Sequence, residues 1–250
     1  MKKFLIIILS ILSCNQSDYN NDYKIQAQVW TQNSAEYRAL CYQAFNAAKM
    51  NLDAIFFFEK KYDKPLAIIA DVDETVLDNS PYDGKLILNN ITYNRESWVE
   101  WGNLEIAEAI PGSLEFLKYA SEKNVEIFYI SNRYSEQLDA TVNNLKKLGF
   151  PDAKKSNVLL RSDKRSKSDR RKSVYKDYEV IMLLGDNLAD FNDDFEEKIL
   201  LPDDVFVQDK LKKVQDPSQS KDIVTLGSVS YTHLRAHETR GNLVCRLLLE

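Results

Sequence analysis

Leu66-Ala67-Ile68-Ile69-Ala70-Asp71-Val72-Asp73-Glu74-Thr75-Val76-Leu77-Asp78-Asn79-Ser80 opens as a short apolar run and ends abruptly in two carboxylates one residue apart. A run of that length, rich in Ile and Ala, reads as a strand buried on both faces. Ligands of open α/β sheets sit outside the carboxyl ends of the strands, where Asp71 and Asp73 stand. If strand geometry persists through the pair, both side chains leave the same face. Two acids so close repel unless a cation or a proton lies between them.

Working outward, residues 23–61 are expected to be helical, with Asn33 and Glu36 as an N-cap pair. Cys41, Phe45, Ala48, Leu52 and Ile55 form an apolar stripe at helical spacing. Cys41 on that stripe reads as a small core residue. Lys64-Pro65 stops the helix and launches the strand. After Ser80, a long stretch to residue 110 separates the acidic pair from the next helix, which Pro111-Gly112 opens. So long an excursion suggests a functional insertion covering the site. It carries Tyr82, Tyr93, Trp98 and Trp101. The two Trp residues could clamp a planar group or fill the insertion's own core.

Downstream, residues 113–123 read as a helix and Val125–Ser131 as a second strand, ending in Ser131-Asn132-Arg133. Residues 135–148 form a helix that Gly149 closes. A weak strand at Val158-Leu159-Leu160 is followed by a basic run over residues 161–172. The last clear buried strand, residues 178–184, ends in Gly185-Asp186-Asn187-Leu188-Ala189-Asp190-Phe191.

Both ends of the chain call for separate treatment. Lys2-Lys3, an apolar run from Phe4 to Leu12 and Ser13-Cys14 describe a secretory signal peptide over residues 1–13, too short to span a bilayer. Ile11-Leu12-Ser13-Cys14 resembles a bacterial lipobox, so Cys14 is the expected lipidation site and residues 14–22 a polar tether. Residues 229–250 match the translation of a common sequencing-adapter oligonucleotide in two blocks, 229–239 and 243–250. They are expected to be a non-native tail, with the native C-terminus missing.

Both histidines, His233 and His237, lie in that tail. The rest therefore excludes phosphatases built on a histidine nucleophile or histidine-bound metals. Cys245 lies there too, and Cys14 and Cys41 alone provide no disulfide framework. The net charge of −5 becomes more acidic once the tail and the leading lysines are set aside. An acidic body argues against a nucleic-acid polymer as partner.

The motifs Asp71-Val72-Asp73-Glu74-Thr75-Val76, Ser131-Asn132-Arg133, a basic segment and Gly185-Asp186 with Asp190 resemble, in that order, the four motifs of the haloacid dehalogenase (HAD) superfamily of phosphohydrolases. Together with Trp30–Tyr37 and the lipobox they resemble its class C bacterial acid phosphatases, of the lipoprotein 5′-nucleotidase type. The resemblance runs from about Trp30 to Phe191 and is loose from Glu196 onward. It implies an α/β fold, a Rossmann-like parallel sheet flanked by helices within residues 23–228. A small helical cap would be built from residues 23–61 and the insertion, 80–110.

By that resemblance Asp71 is the nucleophile and Asp73 the general acid and base, while Ser131 binds the transferring phosphoryl group. One lysine enters the site, Lys167 by choice and Lys164 as the alternative. Asp71, Asp186 and the Asp73 carbonyl would hold Mg²⁺, with Asp190 in support. Asn132 and, for a nucleotide, Trp98 would contact the substrate, a small phosphate monoester. Nucleoside 5′-monophosphates are the first expectation, and small sugar or aromatic phosphates stay open. The chain is expected in the bacterial cell envelope, anchored by lipid in the outer membrane or facing the periplasm. A receiver-type signalling domain also phosphorylates an Asp beside Mg²⁺ and Lys, but it lacks the second acid and a lipobox. An inert scaffold that binds a ligand is the other rival, against which the intact acids argue.

Overall fold

The strand that carries the acidic pair, β1 (Leu66–Ala70), lies in the middle of a sheet. The computed structural model describes residues 22–58, 61–191, 223–225 and 244–247. The expected signal peptide, Cys14, nearly all of the expected tether and most of the chain beyond Phe191 fall outside them.

In chain order the elements begin with α1 (Asp22–Asn33), α2 (Ala35–Phe57) and β1. The insertion follows, with β2 (Leu77–Asp78), α3 (Ser80–Leu88), α4 (Arg95–Asn103) and β3 (Glu108–Ala109). Then come α5 (Ser113–Glu122), β4 (Glu126–Tyr134), α6 (Leu138–Leu148), β5 (Val158–Arg161), α7 (Ser168–Tyr175) and β6 (Glu179–Gly185). The described elements end with β7 (Ile223–Thr225) and β8 (Val244–Leu247).

Strand order is β5-β4-β1-β6-β8-β7, and the first four run parallel. The chain moves from β1 through β4 to β5, then returns to the other side of β1 with β6. That reversal puts a crevice at the carboxyl end of β1. Alternation along the strands splits the core between two faces. Ile68, Ala70, Ile127, Tyr129, Met182 and Leu184 join one apolar cluster, and Ala67, Ile69, Phe128, Ile130, Val180 and Leu183 the other. β1 is therefore buried on both faces, as its composition implies.

The N-terminal region is two helices, broken at Ser34. Ser34 is the cap of α2, its Oγ accepting from the Tyr37 N–H at 2.9 Å, which corrects the expected Asn33–Glu36 pair. The break lets α1 lie against α3, with Gln28 Nε2 donating to the Ser80 carbonyl. The α2 stripe from Cys41 to Ile55 is buried, Cys41 included. It belongs to the same cluster as Tyr82, Leu86, Trp98 and Trp101 of the insertion and Ile68 and Ala70 of the sheet. The cap is thus continuous with the main core. Its entry and exit legs, β2 and β3, pair antiparallel, Leu77 with Ala109 and Asp78 with Glu108.

Two further boundaries differ from expectation. β4 continues past Ser131 to Tyr134, because Tyr134 pairs again with Arg161 of β5. Between Ile130 and Tyr134 the register is irregular, which releases Ser131, Asn132 and Arg133 from the ladder. At the other edge β8 pairs antiparallel with β6, Met182 with Leu247 through Gly185 with Val244. A segment expected to carry no structure therefore supplies a strand. The free edge of β6 offers unpaired N–H and C=O groups, and Val244-Cys245-Arg246-Leu247 is β-prone sequence.

Candidate active site

The Asp71 N–H still bonds the Leu184 carbonyl at 2.9 Å, so Asp71 leaves the sheet in line with β1. The chain then turns sharply. The N–H groups of Val76 and Leu77 both reach the Val72 carbonyl, and Glu74 takes φ 58°. Strand geometry therefore does not persist through the pair. Asp71 and Asp73 face different partners.

Asp71 is 8% exposed and meets Lys167, whose Nζ stands 2.6 Å from Oδ1 and also bonds Asp190 Oδ1. Lys167 caps the start of α7 and is buried at 7%. Lys164 instead pairs with Asp169 at the surface, its side chain 79% exposed. Asp190 lies on a short 3-10 turn, Leu188–Asp190, that folds back toward β6. Its Oδ2 accepts from the Asn187 N–H at 3.0 Å. A Cβ on Gly185 would stand 2.4 Å from that same oxygen, so the turn closes only over glycine.

Asp71, Asp186 and Asp190 bring carboxylate oxygens within 4.8 Å of one another. Burial, and then the Asp190 charge, push Asp71 up to about 7 against the pull of Lys167. Burial, Asp190 and Asp71 likewise hold the Asp186 carboxyl well above the usual range. For Lys167 burial works against the charged form. Asp190 and Asp71 outweigh it and raise the ammonium above its ordinary value.

Asp73 has another set of partners. Its Oδ2 accepts from Ser131 Oγ at 2.9 Å. Its Oδ1 accepts from Arg133 Nε at 2.8 Å and from Asn79 Nδ2 at 2.9 Å. Ser131 Oγ in turn receives the Arg133 N–H at 2.9 Å. Asn132 points elsewhere, its Oδ1 taking a bond from Arg170 at 2.8 Å. Burial, opposed by the nearby Asp71 charge and reinforced by Arg171 and Arg161, lowers the Arg170 guanidinium to about 10.

Trp98 is buried at 7%, its ring 5.1 Å from Tyr82 and 6.3 Å from Tyr93, with the Arg133 guanidinium 5.7 Å away. That packing favours a core role over stacking on a substrate. Trp101 is also buried, and its Nε1 donates to Asn79 Oδ1 at 2.8 Å. Arg133, Asn79 and Arg170 have no role in the reading of the sequence, and Trp101 stands there only as a clamp or core candidate. Arg133 carried a signal there, since period two puts it beside Ser131. Asn79 and Trp101 meet only through the folding of the insertion and carried none.

Residues 12–216 match the family model described as HAD superfamily, subfamily IIIB (Acid phosphatase). Among solved structures, a class C acid phosphatase from Bacillus anthracis with tungstate bound is 39% identical, with a TM-score of 0.67 over 78% of this chain and 80% of that one. Vegetative storage protein 1 of Arabidopsis thaliana is 30% identical over 60% of this chain and 59% of its own length. Acid phosphatase 1 of Solanum lycopersicum is 29% identical over 49% of this chain and 50% of its own. The chain spans between half and three-fifths of the curated relatives it matches.

Proposed function

The chain belongs to the HAD superfamily, subfamily IIIB, of acid phosphatases, and on that premise we propose that it hydrolyses phosphate monoesters in two displacements through Asp71. Unaided, such esters hydrolyse very slowly, so the acceleration required is large. A carboxylate nucleophile divides the reaction into two easier steps. An Asp71 oxygen attacks phosphorus, the ester P–O bond breaks, and Asp73 gives its proton to the departing alkoxide. Asp73 then takes a proton from water as that water attacks the aspartyl-phosphate, releasing phosphate and restoring Asp71. Ser131 and Lys167 would bind the phosphoryl oxygens. The tungstate bound by the Bacillus anthracis relative is a tetrahedral oxyanion like phosphate, which supports this reading.

The donor set suits a hard divalent cation, since three carboxylates with converging oxygens, two of them raised by burial and by the Asp190 charge, gain from one. Asp71, Asp186 and the Asp73 carbonyl would hold Mg²⁺, with Asp190 in support. Such an ion neutralises the clustered acids and clamps phosphoryl oxygens when bound.

The observation that carries the reading is the division of the two acids, Asp71 with Lys167 and Asp73 with Ser131, Arg133 and Asn79. Asp71→Asn should abolish turnover and any trapped phospho-enzyme. Asp73→Asn, quenched with labelled nitrophenyl phosphate, should accumulate label on Asp71. Label on another residue, or full activity in Asp71→Asn, would sink the mechanism.

Nucleoside 5′-monophosphates are the proposed substrates, on the strength of the motifs' resemblance to the lipoprotein 5′-nucleotidase type. The proposed place is the cell envelope, through a lipid on Cys14, on the strength of Ser13-Cys14 after the apolar run. Two or more acyl chains would anchor the body firmly, whereas one binds marginally. Mass spectrometry of membrane-derived protein should find a diacylated N-terminal Cys14, and a free N-terminus elsewhere would refute it.

A further inference from the structure

The Arg133 side chain is 1% exposed, and each of its guanidinium nitrogens has an acceptor. Nε bonds Asp73 Oδ1 at 2.8 Å, one terminal nitrogen bonds Asn79 Oδ1 at 3.2 Å, and the other Thr141 Oγ1 at 3.3 Å. A buried cation is tolerated only when paired and fully hydrogen-bonded, and Asp73 provides the charge.

Asn79 is buried completely and is as fully used. An indole N–H can only donate, so the Asn79 atom facing Trp101 Nε1 must be Oδ1. That orientation leaves the amide NH₂ to donate to Asp73 Oδ1 at 2.9 Å. Trp101 comes from α4 of the insertion, and the next residue is Gly102. A Cβ there would stand 2.3 Å from Gln137 Nε2 and 3.8 Å from an Arg133 nitrogen. The insertion helix therefore lies hard against the network that holds Asp73.

Oδ1 of Asp73 is saturated by two donors, whereas among the described residues Oδ2 meets only the Ser131 hydroxyl, which can give or accept. We propose that Arg133 and Asn79 are positioning residues that hold Asp73 by Oδ1 and leave Oδ2 as its reacting oxygen, and that Trp101 ties this orientation to the insertion. The proposal rests on the reading of Asp73 as the acid and base. In the first step the Oδ2 proton passes to the leaving alkoxide, and in the second Oδ2 takes one from the attacking water. Proton transfer falls steeply with misplacement, and an error of about 1 Å can lower the rate on the order of a hundredfold.

The test measures single-turnover phosphorylation of Asp71 by an alkyl phosphate and by nitrophenyl phosphate, whose leaving group needs little protonation. Trp101→Phe removes the N–H that orients Asn79 and keeps a smaller aromatic ring in its place. It should lower the alkyl-ester rate about tenfold and leave the nitrophenyl rate within about threefold, with inhibition by inorganic phosphate unchanged. Arg133→Gln should widen that gap to about a hundredfold, and Arg133→Lys should not close it, because an ammonium cannot span three acceptors. Equal losses on both esters in Trp101→Phe, or none, would overturn the proposal. Asp73→Asn run alongside separates the two readings. If it shows no leaving-group dependence the acid role fails, and if it alone shows the dependence only the positioning role fails.

Discussion

Lys167 Nζ stands 2.6 Å from Asp71 Oδ1, a contact between residues 96 positions apart. It places one cation against both Asp71 and Asp190 and leaves the rest of the basic run to solvent or other partners. Lys167→Met should lower turnover by roughly a hundredfold or more, since a preorganised charge at the reacting centre is removed. Without metal it should also destabilise the fold by about 3–5 kcal/mol, because buried carboxylates lose their partner. Lys164→Ala should change stability by less than about 0.5 kcal/mol and leave activity within a factor of about two. Urea unfolding and steady-state kinetics on both variants check this, and the reverse ranking would hand the role to Lys164.

Stability should fall as pH rises in protein stripped of divalent ions. Asp71 is raised to about 7, and Asp186 is raised in the same direction. Carboxyls raised in the folded state hold protons that the unfolded chain releases near pH 4. Their favourable contribution is complete below that range and is lost as pH climbs toward 7. Lys167 is raised instead, and its contribution stays constant across this window. Melting temperature after chelation should drop between pH 5 and pH 7.5, and added Mg²⁺ should remove most of the drop. A flat profile without metal would mean that burial and neighbouring charge do not raise these acids in the folded state.

Gly185→Ala tests the close turn behind the metal-ligand candidates. The new methyl would stand 2.4 Å from Asp190 Oδ2 and 2.5 Å from its Cβ, so the turn must move. A loss of about 1–3 kcal/mol is expected, together with weaker protection by Mg²⁺ in thermal melts. An unchanged Mg²⁺ response would show that Asp190 does not support the ion.

Trp98→Ala distinguishes core from clamp. A Trp buried against Tyr82, Tyr93 and Arg133 should cost about 3–5 kcal/mol on truncation. Hydrolysis of a nucleoside monophosphate and of a small aliphatic phosphate should then fall together. A loss of tenfold or more on the nucleotide alone would return Trp98 to the substrate, since stacking is worth roughly 1–3 kcal/mol.

Much of this site could be read along the chain, because its motifs are local. Asp71 follows an apolar strand, Gly185-Asp186 follows another, and the α2 stripe from Cys41 to Ile55 has helical spacing. Such patterns depend on neighbours a few residues away, and alternation or helical period carries them directly. The choice between Lys167 and Lys164, the release of Ser131–Arg133 from the β5 ladder and the bonds joining Trp101, Asn79, Arg133 and Asp73 are of another kind. Each depends on groups brought together from distant parts of the chain: Arg133 and Asp73 lie 60 positions apart, and Trp101 and Asn79 22. Burial and hydrogen-bond satisfaction select among such pairings only once the helices and the sheet have packed, so no local pattern could have announced them.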